Sequence, residues 1–139
     1  MPQIIWNDDF ALNIASFDEH HKHLISLINA TTGCLERGAP REEIDIVLNS
    51  LVYYAAYHFS AEETWMKEHG FPKREEHEQI HRNFSDTIGS LQRALAAGSP
   101  TVGTELSDYL NFWLIDHIVI CDSQYATFAG TRKENVLMT

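Results

Sequence analysis

Histidine recurs on the apolar face of every long helical segment of this chain, and that pattern restricts the fold more than any other feature. Gly38-Ala39-Pro40, Gly70-Phe71-Pro72 and Gly98-Ser99-Pro100 with Gly103 break the chain into pieces, since glycine and proline end helices. Between the breaks, segments of helical period run over about 18–37, 41–69, 73–97 and 104–128. Short connections between long helices make antiparallel neighbours, so the pattern predicts an all-α fold, an up-down-up-down antiparallel four-helix bundle. Asp18 suits the N-cap of the first helix and Pro40 the first turn of the second. Residues 1–17 carry Trp6 and Phe10 without a sustained period and read as an N-terminal arm packed on the bundle. The bundle itself is expected over 18–128, followed by a polar tail, 129–139, that frays. The 139 residues amount to a single domain, long enough to bury a core unaided.

A rotation of about 100° per residue locates the apolar stripe of each segment and sets every polar residue against it. In the second, Ile44, Val47, Leu51, Tyr54, Ala55, His58, Glu62 and Trp65 share a stripe, whereas Glu63 points well away. In the third, His77 and His81 lie in line with Phe84, Ile88, Leu91 and Leu95. In the fourth, His117 follows Leu106, Leu110, Trp113 and Leu114. In the first, His21 lies near the centre of the stripe of Leu24, Ile25, Ile28 and Leu35, with His20 at its edge and His23 off it. One inward histidine is usually a hydrogen-bonded core residue. Five from four helices, accompanied by a carboxylate, are different. A buried carboxylate is costly unless paired or metal-bound, and imidazoles converging with a carboxylate in a dry core make a cation site. Residues four apart stack on one helix face, so His58 with Glu62, and His77 with His81, can each converge on one small volume.

The net charge of −10 argues against a phosphate-backbone partner, and no basic stripe is present. Cys34 and Cys121 lack CxxC spacing and fit a reducing compartment. The N-terminus has neither the basic nor the apolar region of a signal peptide. No apolar run approaches the roughly 18 to 20 residues of a membrane span. A cytoplasmic protein, not bound to a membrane and monomeric, is expected.

The stretches FDEHHKHLISLIN, YHFSAEETWM, HEQIHRNF and WLIDHIVICD together resemble the haemerythrins, and closely the single-domain bacterial haemerythrins. The resemblance runs from about Trp6 to Tyr125. Its joint motif is specific: one histidine on the first helix, HxxxE on the second, HxxxH on the third and HxxxxD on the fourth. Carried onto this chain, it implies two non-haem iron ions held by His21, His58, Glu62, His77, His81, His117 and Asp122. It implies an oxo- or hydroxo-bridged di-iron centre also spanned by Glu62 and Asp122. His77, His81 and His117 fall to the six-coordinate iron, and His21 and His58 to the one with an open position for dioxygen.

Two positions need separate treatment. His20 stands where the family usually has glutamine, so three histidines lie close together; HxxL spacing and the stripe position favour His21, leaving His20 as a neighbour of the site. On a regular helix Asp122 is rotated about 140° from His117, and Cys121 takes the i+4 place instead. Periodicity alone nominates Cys121, otherwise a small buried hydrophobe. The resemblance selects Asp122, which then requires a π-bulge between His117 and Asp122. His69, before the Gly70 break, reads as a C-terminal residue favoured by the helix dipole.

Five imidazoles to two carboxylates suits an oxygen carrier better than a carboxylate-rich oxidase, and the pair of ExxH motifs that the ferritin-like oxidases use does not occur. The expected function is therefore reversible dioxygen binding for carriage, storage or delivery, without enzymatic activity. An oxygen or redox sensor, or peroxide or nitric oxide chemistry at the same irons, is the alternative.

Overall fold

The computed structural model describes residues 3–130. Helix α1 spans Ala15–Glu36, α2 Arg41–Glu68, α3 Arg74–Ala96 and α4 Val102–Asp116. A π-helical segment, His117–Asp122, and α5, Ser123–Ala129, continue α4 without leaving helical backbone angles. α1 and α3 each pack against both α2 and α4. The result is the up-down-up-down four-helix bundle, without strands among the described residues. No helix among the described residues is long and apolar enough to cross a membrane. Of the predicted tail, 129–139, Ala129 ends the last helix and Gly130 caps it, and the rest, from 131 onward, lies outside the described residues.

The turns follow from backbone chemistry. Gly38 and Gly70 both adopt φ of 64°, the left-handed conformation that glycine takes without steric cost. The next amides then reach back along the helix, Ala39 N–H to Cys34 O at 3.0 Å and Phe71 N–H to Met66 O at 2.9 Å. Carbonyls at the helix ends are thereby satisfied.

The first helix begins three residues earlier than periodicity suggests, at Ala15 rather than Asp18, and Ile14 is its N-cap. Asp18 caps the arm instead: its carboxylate accepts from Leu12 N–H at 2.8 Å and Asn13 N–H at 3.1 Å. The same side chain that looked like a helix start satisfies the chain just before the helix. The arm is pinned further by Asn29, which accepts from Ile4 N–H and donates to Ile4 O, both at 2.9 Å. Trp6 and Phe10 make an edge contact.

Buried side chains form two principal clusters. One holds Leu24 and Ile28 of α1, Leu48 and Leu51 of α2, Phe84 and Ile88 of α3, and Leu106, Leu110 and Leu114 of α4. The other holds Leu12, Phe17, Met66, Phe71 and Tyr125. Each fully buried aliphatic or aromatic side chain contributes about 1.5–3 kcal/mol. Along every helix a polar layer falls between the clusters: His21 between Phe17 and Leu24, His58 and Glu62 between Leu51 and Met66. His77 and His81 lie between Phe71 and Phe84, and His117 and Asp122 between Leu114 and Tyr125.

Replacing Asp18 with Ala should lower stability by about 1–2 kcal/mol, the usual cost of leaving backbone donors without their acceptor. Urea denaturation at neutral pH measures it; an unchanged midpoint would show that the arm needs no such anchor.

Candidate metal centre

The polar layer contains two overlapping groups of donors. Glu62, His77, His81, His117 and Asp122 bring ligand atoms within 4.8 Å of one another, and so do His21, His58, Glu62 and Asp122. Glu62 and Asp122 belong to both. All seven side chains are buried, none more than 3% exposed. The seven residues named from the sequence are thus brought to one place.

Asp122 reaches it through an irregular backbone. The π-helical segment bonds i to i+5, so residues five apart share a face. His117 and Asp122 consequently face the same way, with His117 Nε2 2.9 Å from Asp122 Oδ1. The Ser123 hydroxyl donates to Val119 O at 2.6 Å and lies 3.1 Å from Ile120 O, supporting carbonyls along the widened turn. Cys121 is displaced from the site and only half-buried. Burial pushes its thiol up to about 11, with the Asp122 charge adding to the effect. It is therefore a neutral thiol at physiological pH, and it stands outside both donor groups.

Distances inside the layer are short. Asp122 Oδ1 is 2.9 Å from His77 Nε2, and Asp122 Oδ2 is 3.0 Å from His21 Nε2. Glu62 Oε1 is 2.8 Å from His58 Nε2 and 3.6 Å from His81 Nε2. Proximity does not make these hydrogen bonds. Nε2 of His21, His58 and His77, Oε1 of Glu62 and both Asp122 oxygens lack a partner of hydrogen-bond geometry. His81 Nε2 and His117 Nε2 face each other at 3.2 Å, where two lone pairs can share at most one proton. Buried polar atoms are ordinarily paired. So many orphans aimed at one volume could be satisfied together by cations, and the donor set of imidazole and carboxylate fits transition-metal ions.

The electrostatics have the same origin. Burial alone would raise Asp122; the neighbouring imidazoles of His117, His21 and His77 outweigh it and hold this carboxyl well below its usual range. Burial and the charge of Asp122 would raise Glu62, yet His58 and His21 bring it down. Burial lowers His21 and His77, but Asp122 more than reverses this and both end above the usual imidazole value. His81 goes the other way, pushed down to about 3 chiefly by burial. Protons on some imidazoles thus compensate the carboxylates where a cation does not.

Aromatic rings close the layer. Phe59 stacks on His81 at 3.9 Å and Trp113 on His117 at 4.4 Å, while Phe17 meets His58 edge-on at 5.8 Å. Two contributors escaped the sequence reading. Glu63, expected to point well away, sets Oε2 3.1 Å from His81 Nδ1. It is one residue from the stripe, but a three-carbon side chain reaches around the helix. Tyr125 donates its hydroxyl to Glu62 Oε2 at 2.5 Å, and burial keeps its phenol well above the ordinary value. Periodicity past Asp122 is reset by the wide turn, so no spacing signal marks it. Histidines placed off the layer stay off it: His69 stacks on Trp65 at 4.0 Å, and His23 is exposed beside Tyr54.

Comparison with known proteins agrees with this geometry. The family described as "Hemerythrin HHE cation binding domain" matches residues 12–129. A protein named Bacteriohemerythrin from Pseudomonas paraeruginosa is 32% identical over 125 residues, covering 90% of this chain and 80% of that one. Another of that name, from Methylococcus capsulatus, is 28% identical over 117 residues, 84% of this chain and 88% of its own. The crystal structure of a hemerythrin mutant superposes with a TM-score of 0.82 at 27% identity, covering 91% of this chain and 96% of that one.

Two outcomes are expected. Asp122→Ala should abolish uptake of divalent metal, whereas Cys121→Ser should leave uptake intact and cost about 1 kcal/mol in stability; elemental analysis and denaturation decide, and the reverse pattern would assign the fourth helix's donor to sulfur. The pH dependence has a definite sign. Stability from the raised His21 and His77 is fully present below about 6.5 and lost as pH climbs above it. Stability from the depressed Asp122 is present above about 3.9 and lost as pH falls below it. The depressed His81 acts the other way and costs stability as pH falls below about 6.5. The metal-free chain should therefore be most stable at about pH 6.5, while metal uptake displaces protons and tightens with rising pH. Thermal melts across pH with and without metal check both; a metal-free optimum well above pH 7 would contradict the charge assignment.

Proposed function

Because the chain belongs to the haemerythrin family, we propose that it holds two non-haem iron ions and binds dioxygen reversibly, serving carriage, storage or delivery. The observation that carries the reading is the unequal division of one donor layer, three imidazoles in one group and two in the other, with Glu62 and Asp122 common to both. His77, His81 and His117 would hold one iron with the shared carboxylates, and His21 and His58 the other. The second position is one imidazole poorer, which leaves room for an exogenous ligand, as open metal sites require. When bound, the ferrous pair supplies two electrons and that open position.

The protein's own part is to orient donors and exclude water. Both carboxylates have no exposed surface, so neither is free to accept a proton from solvent. Tyr125 fixes the second oxygen of Glu62 by donating to it, which leaves Oε1 turned toward the imidazoles. Stacked Phe59 and Trp113 restrict the rings of His81 and His117 and line the site with apolar surface. Neutral imidazoles add little charge to the irons, a donor set suited to binding rather than to attack on a substrate. Every titratable group of the layer is engaged as a donor, so none remains as a catalytic acid or base. The two cysteines are unpaired, in keeping with a reducing, cytoplasmic setting.

Protein produced with ample iron should contain two irons per chain. After reduction without air, it should take up dioxygen and release it over repeated cycles, followed by absorbance. One zinc and no iron would reject the di-iron reading. Rapid irreversible oxidation with two irons present would reject carriage in favour of sensing or redox chemistry.

A further inference from the structure

The site's outward ring nitrogens are not treated alike. Nδ1 of His21 and of His117 has no hydrogen-bond partner among the described residues. Nδ1 of His58, by contrast, lies 2.8 Å from Nδ1 of His20, a residue outside both donor groups. The two rings stand perpendicular, at 90°, with centroids 4.9 Å apart. His20 is itself fixed: Phe17 lies 5.8 Å from its ring, Tyr54 6.0 Å and Tyr57 5.4 Å.

Proton counting gives this contact a direction. The inward nitrogen of His58 is Nε2, 2.8 Å from Glu62 Oε1. An imidazole that gives its Nε2 lone pair to a cation carries its proton on Nδ1. Two nitrogens at 2.8 Å share only one proton, so His20 must present a bare Nδ1 and carry its own proton on Nε2. We infer that His20 is the positioning residue for His58: its Nδ1 accepts from His58 Nδ1–H, which fixes the tautomer and ring plane that aim Nε2 at the metal position. His20 does not touch the metal. Its partner lies in the two-imidazole group, so it holds one of only two imidazoles at the position proposed for the exogenous ligand. Outer partners of this kind orient metal-binding histidines, and their loss typically weakens metal binding about 10–100-fold.

The inference rests on the metal-binding reading, and the test separates the two. Ferrous iron affinity is measured without air by competition with a chelator for the unaltered chain, His20→Leu and His20→Gln. His20→Leu removes the acceptor and should weaken the looser-bound iron about 10–100-fold. His20→Gln restores an acceptor through its amide oxygen and should bind close to the unaltered value. Failure of the unaltered chain to bind metal sinks both readings. Normal binding by the unaltered chain with equal binding by His20→Leu, or equal losses in both variants, sinks only this one. Should His20→Leu not fold, nitrogen-15 NMR of the unaltered zinc-loaded chain decides. A coupling across the hydrogen bond between the two Nδ1 atoms, with the proton on His58, is expected. Its absence, or a proton on the Nδ1 of His20, overturns the assignment.

Discussion

Two carboxylates without exposed surface, Glu62 and Asp122, share one small volume in the core, and the rest of the structure is arranged to compensate them. An isolated buried carboxylate is unfavourable, and two like charges side by side are worse. Five imidazoles answer that need, because each can offer either a proton or a lone pair. With protons they neutralise the pair; with lone pairs they complete a cage for cations. The apolar clusters on either side keep water from doing the same task. Deleting one carboxylate would therefore unbalance the layer rather than merely weaken it.

That requirement reaches into the backbone. A regular fourth helix would set Cys121, not Asp122, beneath His117, and the layer would have one carboxylate and a neutral thiol. The π-helical segment exchanges regular hydrogen bonding for the five-residue spacing that turns Asp122 inward. Ser123 takes up part of the cost by donating to Val119 O. Local irregularity is tolerated because the charge it delivers is worth more to the layer than the ladder it interrupts.

What could be read beforehand divides along the same line. The bundle and its turns follow from apolar spacing and from Gly38 and Gly70, since these are local properties of the chain. His58 with Glu62 and His77 with His81 are legible because a regular helix stacks residues four apart. Asp122 is not, for its placement depends on a bulge that no local propensity announces, and only the resemblance selected it. Glu63 lies beside its stripe, so periodicity discards it, and His20 at a stripe edge reads only as a neighbour of the site; both meet the outer nitrogens of site histidines. Asp18 shows the converse: a residue with the chemistry of an N-cap caps the preceding arm, because the helix begins earlier than its apolar period.

The outer contacts extend the asymmetry of the donors themselves. The three-imidazole group has a carboxylate, Glu63, behind His81, and burial and the negative charge of Glu78 raise its pKa. The two-imidazole group has a neutral ring, His20, behind His58. A carboxylate accepting from Nδ1–H makes an imidazole more electron-rich than a neutral acceptor does. Donor number and donor strength thus favour the same position, the one with His81. A cage symmetric in both respects would hold two equivalent cations and give neither a reason to accept a further ligand. Here the inequality is built twice, once in which residues point inward and again in what stands behind them.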